Sequence, residues 1–177
     1  MRNRGPDYEK IENISERVIF GHQRLSIQDL SNKGNQPFRY KNFSMVFNGE
    51  IYNFKELKLK LENEGFKFKS NSDTEVLIVG IAEKGVKFLN SLNGMFAIAF
   101  YDHVKNILIL ARDRFGVKPL YYQKNTNTKE EKFIRFASEI KAFPVSKNKI
   151  NANYFRNYIE NSITDDSTRT HLRDIYQ

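Results

Sequence analysis

The chain has 177 residues, a formal net charge of +8, 15 phenylalanines and 9 tyrosines, so we expect a well-packed domain rather than a disordered segment. It lacks both an apolar run of the roughly 18 residues that cross a membrane and an apolar signal region, which favours a cytoplasmic location without a membrane partner. The lysines are scattered instead of forming one basic run among stacking aromatics, and this argues against nucleic-acid binding.

The first half of the chain predicts two strands followed by two helices. Residues 17–20 and 43–47 are short apolar runs typical of strands. A first helix is predicted to begin at Asn53, with Glu56 completing a capping box, and to end at Gly65.

The second helix carries the same start signal, with Ser72 and Glu75 three residues apart, and is predicted to end at Gly85. After it the pattern changes to that of strands, and an amphipathic helix near residues 154–159 follows. The four later strands are predicted at residues 95–101, 107–112, 120–123 and 133–137. Strands in both halves with helices between them predict an α+β fold of packed layers.

The segment Asn48-Gly49-Glu50 follows directly after the predicted strand at 43–47. A side-chain amide and a neighbouring glycine N–H are a plausible pair of donors for the oxyanion of an acyl-transfer reaction. Glu50, one residue further on, could meet a substrate ammonium. Taken alone, however, an Asn-Gly pair is more often a two-residue hairpin turn.

Arg24 and Asp73 are each open to two interpretations. The guanidinium fork of Arg24 matches a carboxylate bidentately, but Arg24 could equally form a surface ion pair. Asp73 could contact an ammonium, or could only cap the helix that begins there. The three histidines are too far apart for a metal-ligand spacing, so no metal site is expected; they are His22, His103 and His171.

Six segments follow one another in a fixed order. They are Arg4-Gly5-Pro6-Asp7, residues 21–27, residues 47–53, Ser72-Asp73-Thr74-Glu75, residues 111–122 and residues 136–141. In this order they resemble the glutaminase domain of glutamine-hydrolysing asparagine synthetases, which are class II glutamine amidotransferases. The resemblance extends from about Arg4 to the C-terminus. The residues after the Asn-Gly pair favour this branch over related amidotransferases.

The resemblance implies a four-layer αββα sandwich of the N-terminal-nucleophile hydrolase type, here expected without its first strand. It implies a glutaminase that supplies ammonia for the ATP-dependent conversion of aspartate to asparagine. Residues 1–143 would form the glutaminase-type domain, and residues 144–177 would form its end and a linker towards a C-terminal synthetase domain. ATP and Mg²⁺ are expected in that synthetase domain and no cofactor in this chain, while a homo-oligomer is left open.

The resemblance also assigns roles in a pocket for L-glutamine. The side-chain amide of Asn48 and the backbone N–H of Gly49 would form the oxyanion hole. Arg24 would hold the α-carboxylate, and Glu50 and Asp73 would meet the α-ammonium. The walls would come from four consecutive residues, Leu25, Ser26, Ile27 and Gln28.

Some features depart from the family pattern. The family's nucleophile is an N-terminal cysteine whose α-amino group serves as the base, and this sequence contains no cysteine. Asn3 stands where the family usually has a histidine, and the Ser-Gly-Gly phosphate loop of a synthetase is absent. We therefore expect a fragment, truncated at both ends, that is inactive alone. The competing hypothesis is a degenerate binding or scaffolding module of the same fold.

Overall fold

The computed structural model describes residues 5–25, 34–125, 131–144, 150–162 and 168–177. The chain divides into two compact units, Met1–Lys118 and Pro119–Gln177. The strands are β1 (Tyr8–Ser15), β2 (Val18–Arg24), β3 (Phe38–Tyr40), β4 (Phe43–Ile51), β5 (Gly94–Asp102), β6 (Ile107–Arg112), β7 (Tyr121–Asn125) and β8 (Phe133–Ala137). The α-helices are α1 (Phe54–Asn63), α2 (Asp73–Lys84) and α3 (Ala152–Asn161). This content confirms the α+β class, while the predicted domain boundary at residue 143 stays a prediction.

The first unit is built on an antiparallel sheet with the strand order β3-β4-β5-β6. Strand β4 pairs with β5 along its whole length, from Phe43 opposite Asp102 to Ile51 opposite Gly94. Because successive side chains of a strand point to opposite faces, alternate residues of β4 and β5 share one face of the sheet. The main core cluster joins this face to the two helices through Met45, Phe47, Ile51, Leu57, Leu61, Val76, Leu77, Ile78, Val79, Ile81, Phe96, Ile98 and Phe100.

Helix α1 begins after Asn53 and ends before Gly65, as predicted, but the predicted capping box is wrong. The Asn53 side chain makes no capping hydrogen bond. Its Nδ2 donates to the Ser91 carbonyl at 2.9 Å, and its Oδ1 accepts from the Asn93 N–H at 3.0 Å. Asn53 therefore ties the start of α1 to the turn that precedes β5.

Helix α2 confirms half of its predicted capping box. The Ser72 Oγ accepts from the Thr74 N–H at 3.2 Å, and the helix ends at Gly85, whose φ is 75°. Glu75 does not reach back to the cap, because its carboxylate accepts instead from the N–H groups of Lys69 and Ser70. Residues 73–81 are all buried, so α2 is the central helix of the core.

The strands predicted within this unit are confirmed, with one important difference. Strand β4 does not end at Phe47 but continues to Ile51. The Asn48-Gly49 pair therefore lies inside a strand, and the hairpin-turn interpretation is wrong. Strands β1 and β3 were not predicted; β1 pairs with β2 as an antiparallel ribbon in which Tyr8 lies opposite Arg24.

The second unit contains the antiparallel pair β7 and β8, with Tyr121 opposite Ala137. The N–H and C=O of Tyr122 bond the C=O and N–H of Tyr176, each at 2.9 Å, which continues this pairing towards the C-terminus. Helix α3 begins after Asn151, whose Oδ1 accepts from the Tyr154 N–H at 3.4 Å. The strand predicted at 133–137 and the helix near 154–159 are thereby confirmed.

Ser72→Ala is expected to lower the free energy of unfolding by about 1 kcal/mol, the usual cost of losing a helix N-cap. Urea unfolding followed by circular dichroism measures this change. Ser72→Asn is the matched control, because asparagine is an equally good cap and should restore most of the loss. An equal loss in both variants would show that the Ser72 cap bond does not stabilise α2.

Candidate functional site

Strand β4 presents a row of backbone N–H groups along its outer edge, away from β5. The Phe47 N–H donates to Gln36 Oε1 at 2.6 Å, and the Ile51 N–H donates to Asp73 Oδ2 at 3.1 Å. Alternate N–H groups of an antiparallel strand point to the same side, and the pairing with β5 is continuous here. The Gly49 N–H therefore points to this same edge, between the two groups that Gln36 and Asp73 occupy.

Gly49 is the residue type that this position requires. A Cβ added at Gly49 would lie 2.1 Å from the Met95 carbonyl oxygen, which belongs to the backbone of the neighbouring strand. Strands β4 and β5 could not move apart without breaking the hydrogen bonds between them, so a side chain at this position cannot be accommodated. The close approach explains why the Asn-Gly pair occurs in the middle of a strand.

Asn48 and Glu50 lie on the face of β4 opposite to the core face that carries Phe47 and Ile51. Both are partly exposed, so their side chains can be reached by a ligand. Asn48 lies opposite Ala97 on β5, a small residue that leaves room beside the amide. The strand thus displays an amide, a glycine N–H and a carboxylate in three consecutive residues.

Arg24 is the last residue of β2 and is only 9% exposed, so it does not lie on the surface. Its Nη1 donates to Asn35 Oδ1 at 2.7 Å. A Cβ at Gly34 would lie 2.5 Å from the Arg24 Nη2, so the glycine lets the guanidinium pack directly on the backbone. The guanidinium is held in a fixed direction, which suits the recognition of a carboxylate.

Asp73 is the first residue of α2, and the cap is Ser72, so the interpretation of Asp73 as only an N-cap is wrong. Burial is the main cause that raises the pKa of the Asp73 carboxyl, and the nearby negative charge of Glu50 raises it further. Hydrogen bonds from the Ile51 and Thr74 N–H groups oppose this rise in pKa. Two neighbouring carboxylates, one of them buried, form a region that favours a cation.

The predicted wall residues are only partly described. Leu25 directly follows β2 and is 55% exposed. Ser26, Ile27 and Gln28 lie outside the described residues. The proposed roles of all nine site residues stay predictions at this point, although Asn48, Gly49, Glu50 and Asp73 do lie along one strand and the helix start beside it.

Sequence reasoning missed two polar side chains next to the site. Gln36 is buried and bonds both backbone groups of Phe47, and His22 Nε2 lies 3.3 Å from the same Phe47 oxygen. Since a carbonyl oxygen only accepts, Nε2 is a donor in this contact. Burial is the main cause that lowers the pKa of His22 to about 4, and the charge of Arg24 lowers it further. No local sequence signal marked Gln36, because its bonds to Phe47 depend on how β3 pairs with β4.

Within the described ranges, no group of three or more His, Asp or Glu side chains is arranged to hold a metal ion. In the same ranges no helix is long and apolar enough to cross a membrane.

A protein-family model described as a glutamine amidotransferase domain matches residues 1–177. The chain belongs to this family of glutamine amidotransferase domains. The resemblance read from the ordered motifs is therefore confirmed at the level of the family.

Among curated proteins, the amidotransferase domain is similar to glutamine-hydrolysing asparagine synthetases. It is 50% identical over 141 residues to asparagine synthetase 2 of Bacillus subtilis (strain 168), an alignment that covers 78% of this chain and 18% of that protein. It is 40% identical over 144 residues to asparagine synthetase B of Escherichia coli (strain K12), covering 80% of this chain and 25% of that protein. The chain is thus homologous to the glutaminase part of these enzymes and spans between 18% and 25% of their length.

Among solved structures, the chain is similar to glutamine phosphoribosylpyrophosphate amidotransferase from B. subtilis, which was determined with ADP and GMP. The TM-score is 0.57 at 29% identity, and the match covers 70% of this chain and 28% of that one. This similarity supports the amidotransferase fold with an independent comparison of backbone geometry.

Asp73→Asn is expected to leave the melting temperature at neutral pH unchanged or raised. The variant keeps one amide oxygen as acceptor for the N–H groups of Ile51 and Thr74, and it removes a buried charge that Glu50 repels. The raised pKa means that the folded state binds this proton more tightly than the unfolded chain. The stability that Asp73 contributes is therefore greatest below its unfolded pKa and is lost as the pH rises through its folded pKa.

Differential scanning calorimetry across pH measures this effect. The difference in melting temperature between the variant and the wild type should become smaller as the pH falls. Glu75→Gln is the matched control, because its amide would turn a donor towards the N–H groups of Lys69 and Ser70 and should lower the melting temperature. A clear loss of stability in Asp73→Asn at neutral pH would mean that Asp73 has a structural role instead.

Proposed function

We propose that this chain is the glutamine-binding and amide-hydrolysing part of an asparagine synthetase. Arg24 binds the α-carboxylate of L-glutamine, and Glu50 with Asp73 binds the α-ammonium. The side-chain amide of Asn48 and the N–H of Gly49 receive the carbonyl oxygen of the substrate amide. Leu25, Ser26, Ile27 and Gln28 line the pocket. The observation that carries this proposal is the outward N–H of Gly49, which lies on the β4 edge between the hydrogen bonds of Phe47 and Ile51.

The charges near this edge suit a zwitterionic amino acid. The buried guanidinium is oriented by Asn35, and a guanidinium has the fork geometry that matches a carboxylate. The Asp73 carboxyl, whose pKa is raised by burial and by Glu50, gains most when a cation arrives and removes the repulsion between the two carboxylates. An amino acid with both charges therefore fits better than a simple amine or a simple acid.

The reaction is acyl transfer from the glutamine side-chain amide to water. A thiolate attacks the amide carbon, and the negative charge moves to the oxygen that faces Asn48 and Gly49. Ammonia then leaves, and water cleaves the thioester to give glutamate. Donors aimed at the developing oxyanion are typically worth about 10²–10³ in rate. The 177 residues contain no cysteine, so they supply the donors and the binding groups but not the thiol.

The four-layer αββα arrangement is part of the same proposal. The sheet β3-β4-β5-β6 with α1 and α2 packed on one face corresponds to one sheet layer and one helical layer. The similarity to an amidotransferase at a TM-score of 0.57 supports the remaining layers. We extend the proposal to an ATP- and Mg²⁺-dependent synthetase domain as the partner, aspartate as the acceptor of the ammonia, and a cytoplasmic location; its support is the similarity to proteins named glutamine-hydrolysing asparagine synthetases.

L-Glutamine binding is expected for the 177-residue chain, and Arg24→Lys should weaken it by roughly 10-fold or more, because a charge-assisted fork is worth about 1.5–3 kcal/mol. Isothermal titration calorimetry measures both affinities. Arg39→Lys is the matched control, since Arg39 pairs with Glu12 on the surface and should bind glutamine like the wild type. The absence of glutamine binding, or equal effects of the two substitutions, would favour the scaffolding alternative.

Glutamine hydrolysis is expected to be absent in these 177 residues alone, because they contain no thiol nucleophile. An ammonia-release assay coupled to glutamate dehydrogenase measures it, with a buffer blank as control. Oxyanion donors alone leave only residual catalysis over water. Turnover in the ordinary enzyme range of about 1–10³ per second would contradict the assignment of roles.

A further inference from the structure

Gln36 replaces a neighbouring strand on the outer edge of β4. Strand β3 pairs with β4 only from Phe38 opposite Met45 to Tyr40 opposite Phe43, and the same register brings residue 36 opposite Phe47. At this position the Gln36 side chain bonds the backbone of Phe47. Its Oε1 accepts from the Phe47 N–H at 2.6 Å, and its Nε2 donates to the Phe47 oxygen at 3.0 Å.

The two hydrogen bonds between the Gln36 side chain and the Phe47 backbone form a clamp. This clamp is strong because both bonds are buried. Gln36 is 5% exposed, so water does not compete for its amide, and a buried polar group that loses its partner costs about 1–3 kcal/mol. The neutral His22 ring donates to the same Phe47 oxygen at 3.3 Å, which gives that oxygen two donors. The backbone of Phe47 is therefore fixed just beyond the end of the β3 pairing.

The clamp acts directly before the proposed oxyanion donors. The Phe47 carbonyl belongs to the peptide plane that continues into Asn48, and the next plane carries the Gly49 N–H. Asp73 fixes the Ile51 N–H on the other side at 3.1 Å. Gln36 and Asp73 thus hold the strand on both sides of Gly49. Their support matters there because glycine leaves the backbone more conformational freedom than other residues do.

The residues next to Gln36 contact the other half of the site. Asn35 Oδ1 accepts from Arg24 Nη1 at 2.7 Å, and Gly34 packs against the same guanidinium. Three consecutive residues, 34–36, therefore contact both the arginine and the strand that carries Asn48. One short segment sets the direction of two groups that are far apart in the sequence.

We propose that Gln36 is a positioning residue that aims the oxyanion donors Asn48 and Gly49, and that Asn35 beside it orients Arg24. This inference rests on the proposed function, because it assigns these residues to the same glutamine site. Gln36 acts through the strand and does not touch the substrate. Substitutions at Gln36 and at Asn35 should therefore weaken the binding of different parts of the ligand.

L-Norvaline separates the two effects, because it has the α-ammonium and α-carboxylate of glutamine but no side-chain carbonyl. Gln36→Met should weaken L-glutamine binding roughly 10-fold, the worth of one to two neutral hydrogen bonds, and leave L-norvaline binding unchanged. Asn35→Ala should weaken both ligands by the same factor, since both carry the carboxylate that Arg24 binds. Isothermal titration calorimetry on the full 177-residue chain gives all of these affinities.

Gln123→Met is the matched control, because Gln123 is also a buried glutamine but lies in the second unit, and the ratio of the two affinities should not change. If Gln36→Met weakens both ligands equally, or neither, Gln36 has only a structural role and this inference is overturned while the proposed function stands. If the wild type binds neither ligand, the proposed function itself fails, and this inference fails with it.

A measurement on the wild type keeps the inference testable if Gln36→Met does not fold. In ¹H–¹⁵N spectra the side-chain amide of Gln36 should shift when L-glutamine is added and should not shift with L-norvaline. Equal shifts with both ligands, or no shift with L-glutamine under saturation, would overturn the positioning role.

Discussion

Beyond its short pairing with β3, the outer edge of β4 is held by side chains at Phe47 and Ile51, and the candidate site depends on this arrangement. Gln36 accepts from the Phe47 N–H and Asp73 accepts from the Ile51 N–H. A neighbouring backbone would also have paired with Gly49, since strands pair along a continuous edge. Side chains can occupy single positions, so the Gly49 N–H can point to a ligand without exposing a long edge that would pair with other chains.

The electrostatics of the site follow from the same arrangement. Asp73 is buried so that it can reach the β4 edge, and burial together with Glu50 raises the pKa of its carboxyl. A buried carboxylate next to Glu50 is unfavourable for folding at neutral pH. It is favourable for binding a cation, because the cation would offset the repulsion between the two carboxylates. Arg24 is likewise buried, but it is held by Asn35 and by close packing on Gly34. Conformational freedom is thus removed before a ligand binds, which is how preorganised sites gain affinity.

Sequence patterns predicted the elements whose apolar spacing or capping residues are strong. Helix α2 was bounded correctly by Ser72 and Gly85, and β6 and β8 were found by their apolar runs. Strand β1 was missed because most of its residues are polar and its apolar residues Tyr8, Ile11 and Ile14 lie three apart, so it shows no alternation. The end of β4 was misplaced because Asn-Gly is a local turn signal, and the pairing of Gly49 with Phe96 is a tertiary contact that overrides it.

The candidate site was predicted from the order of its motifs, and its supporting residues were not. Asn53 carried a local capping signal, but its side chain bonds the turn at Ser91 and Asn93, which a sequence window does not contain. Gln36 is eleven residues from Phe47, and its role depends on the register in which β3 pairs with β4. Such residues act through tertiary geometry, so they become visible only when strand pairing is known.

The central claim is that the Gly49 N–H and the Asn48 side-chain amide bind the carbonyl of glutamine together. The most direct measurement is a titration of the ¹⁵N-labelled chain with L-glutamine, followed at these two groups in ¹H–¹⁵N spectra. Both resonances are expected to shift with one common saturation curve, and the Ile51 N–H resonance, whose group is already bonded to Asp73, should shift less. Saturable binding that leaves the Gly49 and Asn48 signals in place would contradict this claim.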